Sequence, residues 1–157
     1  MPRRSAGLLL YRRTREGDVE VLLAHPGGPA WANRDLGAWT VPKGEFDAGE
    51  EEGLAVARRE FEEETGHPPP DGAAIELGEI RQKAGKRVIG FALEGDFEPA
   101  DILPGTFELE WPPRSGRRQA FPEVDRVAWF DLATAAAKIV RGQVALLERL
   151  AQLRAGS

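Results

Sequence analysis

Pro42 to Gly66 reads P-K-G-E-F-D-A-G-E-E-E-G-L-A-V-A-R-R-E-F-E-E-E-T-G, and the fold turns on this stretch. From about Glu51 to Thr65 it is rich in Ala, Glu, Arg and Leu and holds no proline, which predicts a helix. Gly66 and then Pro68, Pro69 and Pro70 stop that helix, because glycine suits a left-handed cap and proline cannot continue the ladder. Gly44 to Gly66 carries nine carboxylates in 23 residues: Glu45, Asp47, Glu50, Glu51, Glu52, Glu60, Glu62, Glu63 and Glu64. Like charges at i,i+4 weaken a helix by a few tenths of a kcal/mol each. The last of these acids also stand at the C-terminal end, where the helix dipole disfavours them. A cation that offsets the repulsion is the physical expectation.

Helical geometry says where it would sit. At about 100° per residue, Glu60, Glu63 and Glu64 share one arc of roughly 100°. Leu54, Ala57 and Phe61 cluster on an adjoining arc that can pack on a sheet. The three carboxylates therefore lie at the margin of the buried face. Three hard oxygen donors there suit Mg²⁺ or Mn²⁺; the competing reading is a solvated acidic face.

Upstream, Ala6 to Arg13 and Val19 to Ala24 read as strands joined by a turn at Arg15-Glu16-Gly17-Asp18, a hairpin. Residues 25–38 are a loop, with Pro26, Gly27, Gly28, Pro29 and Gly37. Trp39-Thr40-Val41 is extended and is expected to stop at Pro42 and Gly44. Downstream, strands are expected over Ile75–Gln82, Arg87–Glu94 and Arg126–Phe130, with Thr106–Trp111 interrupting a long Pro/Gly-rich connection. Asp131 caps a helix to about Val140, and Gly142 introduces a last helix to about Leu153, with Val144, Leu147, Leu150 and Ala151 on its core face. Strands and helices mix without strict alternation, which points to an α+β layered sandwich.

The stretch resembles the signature of the Nudix hydrolases: Gly, five residues, Glu, seven residues, then R-E-U-x-E-E-x-G-U, with U bulky and apolar. Gly44 leads, Glu50 follows after five residues, and Arg59-Glu60-Phe61-Glu62-Glu63-Glu64-Thr65-Gly66 matches the second half position by position. Eight residues separate Glu50 from Arg59, so either Glu50 or Glu51 fills the first glutamate position, and His67 stands at the final apolar one. The resemblance implies a Nudix-type α/β/α sandwich with a mixed β-sheet and a loop–helix–loop box over residues 44–66, in a single domain spanning 1–157. It implies hydrolysis of a nucleoside diphosphate linked to another moiety, with Mg²⁺ or Mn²⁺. By matching position, Glu60, Glu63 and Glu64 are metal ligands, the Gly44 carbonyl is a further one, Arg59 braces the box, and Glu50 or Glu51 orients it.

A pyrophosphate link is anionic and inert, so its hydrolysis needs charge neutralisation and an activated water. Glu64 or Glu60 are candidate bases, as are Glu108, Glu110 and Glu123 from other segments, with Glu110 ranked first. Lys43, Lys83, Lys86, Arg87, Arg114, Arg117 and Arg118 are candidates for the substrate phosphates, arginine being suited to bidentate contact. Residues 95–122 are the expected specificity element. Trp31, Trp39, Trp111 and Tyr11 are candidates for base stacking or for core. His25 reads as a lone loop-edge histidine.

The remaining composition narrows the field. The chain has 157 residues, 41% hydrophobic and 30% charged, as in a globular domain. A net charge of −5 speaks against long nucleic acid as partner. There is no cysteine, hence no disulfide or thiolate site. The Leu8-Leu9-Leu10-Tyr11 run is far too short for a signal or membrane segment, and a cytoplasmic protein with a small nucleotide substrate is expected. A dinucleoside polyphosphate such as diadenosine tetraphosphate fits the basic clusters; nucleoside triphosphates, nucleotide sugars and RNA 5′ ends compete with it, and so does a non-catalytic nucleotide-sensing module.

Overall fold

Arg4–Arg13 forms β1, and it lies at the centre of the sheet. Its apolar run does not alternate with polar residues because both faces are covered. Ala6, Leu8 and Leu10 turn to one side, Leu9 and Tyr11 to the other, and all five are buried. The computed structural model describes residues 4–47, 49, 51–82 and 85–155. Among these, the further strands are β2 (Val19–Pro26), β3 (Lys43–Phe46), β4 (Ile75–Arg81), β5 (Arg87–Glu94), β6 (Thr106–Glu110), β7 (Arg118–Pro122) and β8 (Val124–Asp131). The helices are α1 (Gly53–Thr65), α2 (Leu132–Lys138) and α3 (Val144–Ala155).

The main sheet runs β4-β5-β1-β2-β8, with β3 also on β1. β5 lies parallel to β1 along one whole edge, from Arg4↔Arg87 to Tyr11↔Glu94. The other edge is shared: β3 pairs antiparallel from Arg4↔Phe46 to Gly7↔Lys43, and β2 from Tyr11↔Val21 to Arg13↔Val19. One face of the sheet carries α1, whose Val56, Ala57 and Phe61 pack with Ala6, Leu8 and Leu10. The opposite face carries α2 and α3 through Ala135, Leu146, Leu147 and Leu150, with Ile139 between them. This is the expected α+β sandwich with a mixed sheet. No helix among the described residues is long and apolar enough to cross a membrane.

Several boundaries move for local reasons. Gly44 does not end the extended segment but sits inside β3, because its missing side chain lets α1 approach. The helix starts at Gly53 rather than Glu51, since Asp47 holds a turn before it: its side chain accepts from the Gly49 amide at 2.9 Å and its carbonyl from the Glu51 amide at 2.9 Å. Val56 joins the packed stripe, and Leu54 is only partly buried. The connection after β5 is no irregular stretch but a two-stranded arm, β6 with β7, in register from Thr106↔Pro122 to Glu110↔Arg118. Asp131 caps α2 as expected, accepting from the Thr134 amide at 2.7 Å. That helix ends at Lys138, and Leu146 joins Leu147 and Leu150 on the core side of α3.

Candidate active site

The register Ala6↔Gly44 sets Gly44 beneath α1, directly against Glu60. A Cβ at this position would stand 2.2 Å from Glu60 Cδ and 2.5 Å from its Oε1. Only glycine lets the carboxylate lie there. Gly44→Ala is therefore expected to keep the fold, because the far end of Glu60 can swing away, and to lower turnover by about 10²-fold through its displacement. Turnover and melting measured on one preparation check this; full activity in the alanine variant would show that Glu60 need not occupy this place.

One helical turn on, Glu64 is held from the same strand. Its Oε2 accepts the Lys43 backbone amide at 2.8 Å. Burial pushes the Glu64 carboxyl up to about 8; the Lys43 amide opposes the rise, and the charges of Glu60 and Glu123 add to it. Glu60 is raised too, again chiefly by burial, then by the charge of Glu63, with Arg59 pulling it down. Glu63 is exposed. α1 ends cleanly after this group: Gly66 takes φ +83°, and its amide returns to the Glu62 carbonyl at 2.7 Å.

Arg59 ties the loop to the helix. Its Nη1 donates to Glu51 Oε2 at 2.6 Å, and its Nε lies 3.9 Å from Glu60 Oε1. Glu51 thus takes the bracing position, which puts the extra residue of the box in the loop and leaves the helix uninterrupted. Glu50 lies outside the described residues.

The fold brings a further carboxylate to this place. The arm leaves and rejoins the body beside α1: the Leu103 amide donates to the Thr65 carbonyl at 2.7 Å and the Gly105 amide to the Glu63 carbonyl at 3.1 Å. The Glu123 amide then donates to the Gly105 carbonyl at 2.8 Å. This sets Glu123 near enough to Glu60 and Glu64 to raise both. Glu110 is elsewhere. It lies five residues beyond Gly105 along an extended strand, about 17 Å at ~3.4 Å per residue, and its Oε1 accepts the Arg114 amide at 3.0 Å in the turn of the arm. Glu123 therefore displaces Glu110 as the leading candidate base, and Glu108 is engaged across the arm with Arg118 at 3.5 Å. Among the candidate phosphate contacts, Lys43 adjoins the box, Arg114 and Arg117 sit exposed at the tip of the arm, and Lys83 lies outside the described residues. Sequence reasoning counts Glu123 among its candidates but has nothing to rank it first, since its placement depends on Gly105 meeting Glu63.

The donor chemistry suits a hard divalent cation. Glu60, Glu63 and Glu64 supply carboxylate oxygens; of the two more deeply set ones, Glu60 is drawn down by the charge of Arg59 and Glu64 by the Lys43 amide and ammonium. Among the described residues no three such groups already converge at ligand spacing; Glu64 is turned onto the Lys43 amide instead.

Comparison with known proteins adds the lineage. A family model described as NUDIX domain matches residues 1–150. Among solved structures, a Caenorhabditis elegans Ap4A hydrolase binary complex superposes with a TM-score of 0.65 at 22% identity, covering 99% of each chain. The NUDIX domain of Shewanella oneidensis NrtR, complexed with ADP ribose, gives 0.64 at 17% identity, over 98% of this chain and 88% of that one. A MutT protein from Methanosarcina mazei gives 0.58 at 20% identity, over 97% and 95%. No curated protein matches the sequence significantly.

Proposed function

The chain belongs to the Nudix family of pyrophosphohydrolases, and from that premise we propose that it hydrolyses a pyrophosphate bond in a nucleoside diphosphate derivative, with Mg²⁺ or Mn²⁺ held by Glu60, Glu63, Glu64 and the Gly44 carbonyl. The observation that carries this reading is the pair of half-buried carboxylates one helical turn apart, Glu60 set against Gly44 and Glu64 on the neighbouring Lys43 amide, each raised chiefly by burial. Bound there, the ion would neutralise phosphate oxygens and acidify a water. The protein's own share is then positional. Arg59 and Glu51 lock the loop onto the helix, and the Lys43 amide orients Glu64. Glu123 accepts the proton as the water oxygen bonds to phosphorus and the bridging P–O bond breaks, releasing two phosphate-bearing products.

For the substrate, a dinucleoside polyphosphate such as diadenosine tetraphosphate is the first choice. Arg114, Arg117 and Arg118 stand on the arm far from the box, where a long phosphate chain or a second nucleoside would meet them. The reaction is assigned to a cytoplasmic enzyme. A panel of nucleoside triphosphates, nucleotide sugars, ADP-ribose and dinucleoside polyphosphates, with Mg²⁺ or Mn²⁺ in ¹⁸O-labelled water, tests it. Cleavage products with one labelled phosphate are expected. A folded protein that binds members of the panel and cleaves none would be a nucleotide-sensing module instead.

A further inference from the structure

The loop of residues 27–38 is long for a connection; its first residue, Gly27, meets the Glu123 carbonyl, and its remainder runs away from the box. It crosses the edge of β8 and is stitched to the end of α2: the Gly37 amide donates to the Ala137 carbonyl at 3.1 Å and the Trp39 amide to the Lys138 carbonyl at 2.9 Å. Between the loop, β8 and α2 lies an open cleft of about 540 Å³, within the size of small-ligand sites. Its apolar wall is Trp39, Ala128 and Phe130, all packed with the core on the α2–α3 face of the sheet. The box helix packs on the other face. The cleft is thus a separate place from the carboxylates of α1.

Its polar lining is cationic and held in position. Arg34, Arg126 and Lys138 line it, with Asp35 as the one acid. Asp35 is already engaged, by Lys138 and by Trp39 Nε1 at 2.8 Å, and the bond from Lys138 keeps its carboxyl below the usual range. Arg126 lies over the Trp39 ring at 5.1 Å, with Asp125 3.4 Å from its Nη1. Arg34 stacks over Trp31 at 5.5 Å and makes no ion pair among the described residues. The backbone beneath Arg34 is fixed from inside the protein. Fully buried His25 puts Nε2 2.6 Å from the Arg34 carbonyl and Nδ1 2.9 Å from Asp125, and its ring meets Trp39 edge-on at 5.1 Å. His25, Trp31 and Trp39 therefore serve this cleft rather than the chemistry. Counted with their partners Asp35 and Asp125, these three cations leave one positive charge in excess, at Arg34, in a chain with net charge −5.

We propose that this cleft is a second binding site, independent of the hydrolytic one, for a small phosphate-bearing anion, gripped by Arg34, Arg126 and Lys138. Guanidinium groups recognise phosphate oxygens in bidentate fashion, and the ammonium adds a point charge. The phosphate is either inorganic or part of a nucleotide, and the two are separated by the probe.

Calorimetric titration of the whole chain with inorganic pyrophosphate and with AMP, in EDTA, tests this away from any metal-assisted binding at the box. Saturable binding of at least one probe is expected. Arg34→Ala with Arg126→Ala should weaken it about tenfold or more, while Glu63→Gln in the box and Arg15→Ala, at the far end of β2, leave it unchanged. Tighter AMP identifies a nucleotide site, and tighter pyrophosphate an inorganic one. Both arginines are exposed, so the double variant should melt as the parent does; if it does not, Arg34→Ala alone carries the test. Absence of binding, binding that survives the arginine variants, or equal loss in Arg15→Ala would overturn the proposal. Because no turnover is read, this outcome is separate from whether the box hydrolyses anything.

Discussion

Glu64→Gln is expected to stabilise the metal-free protein at pH 8 while lowering turnover by about 10²-fold or more. Both effects come from one half-buried carboxyl. In the folded state it holds its proton up to about pH 8, against an ordinary value of 4.5. Between those limits the folded chain retains a proton that the unfolded chain has lost. Stability therefore falls as pH rises, by at most about 1.4 kcal/mol per pH unit from this group. Below pH 4.5 both states are protonated and the group has no influence. Gln keeps an oxygen for the Lys43 amide but has no charge to bury. Melting in EDTA should thus decline from pH 5 to pH 8 in the parent, and much less in the variant. Mg²⁺, binding only the folded form, should raise the parent's melting temperature most at the high-pH end. An unchanged pH slope in Glu64→Gln would remove this residue as the source of the effect.

Glu123→Gln is expected to lower kcat by about 10²–10⁴-fold with KM little changed, as for loss of a general base. The amide is nearly isosteric, and the backbone bonds at Glu123 do not involve the side chain. Glu110→Gln, at the far end of β6, should leave kcat nearly unchanged. Melting separates a base from a structural acid: Glu123→Gln should melt as the parent does while its kcat falls. If Glu110→Gln is the variant that fails, the proton goes to the arm and Glu123 is not the base.

The box helix was legible because everything that makes it is local. Its composition, the Gly66 cap and the three prolines need no partner to be understood, and the Gly44–Arg59–Glu64 spacing is written in the chain. β1 was legible for the same reason, since a continuous apolar run of that length requires cover on both faces. The arm was half hidden. β7 reads R-Q-A-F-P, with a single large apolar residue, and it is a strand because β6 pairs with it and not through any pattern of its own. Glu123 and Glu110 looked alike in sequence; they differ because Gly105 is bonded to the box helix and Glu110 lies five residues further out. The glutamate that braces Arg59 needed the loop's actual path, which Asp47 sets through its own turn. The role of His25 depended on two partners, Arg34 and Asp125, nine and 100 positions away.

Both feet of the arm are bonded through main-chain amides to one another or to the rim of the helix that bears the acids, and the Gly27 amide closes the last foot onto the Glu123 carbonyl at 3.0 Å. Main-chain bonds do not depend on what side chains lie further out. Such a mounting makes the arm an exchangeable tool head: its length and its tip can drift from one descendant to the next while the chemistry at its root stays in register, so selection can retarget the molecule without rebuilding it.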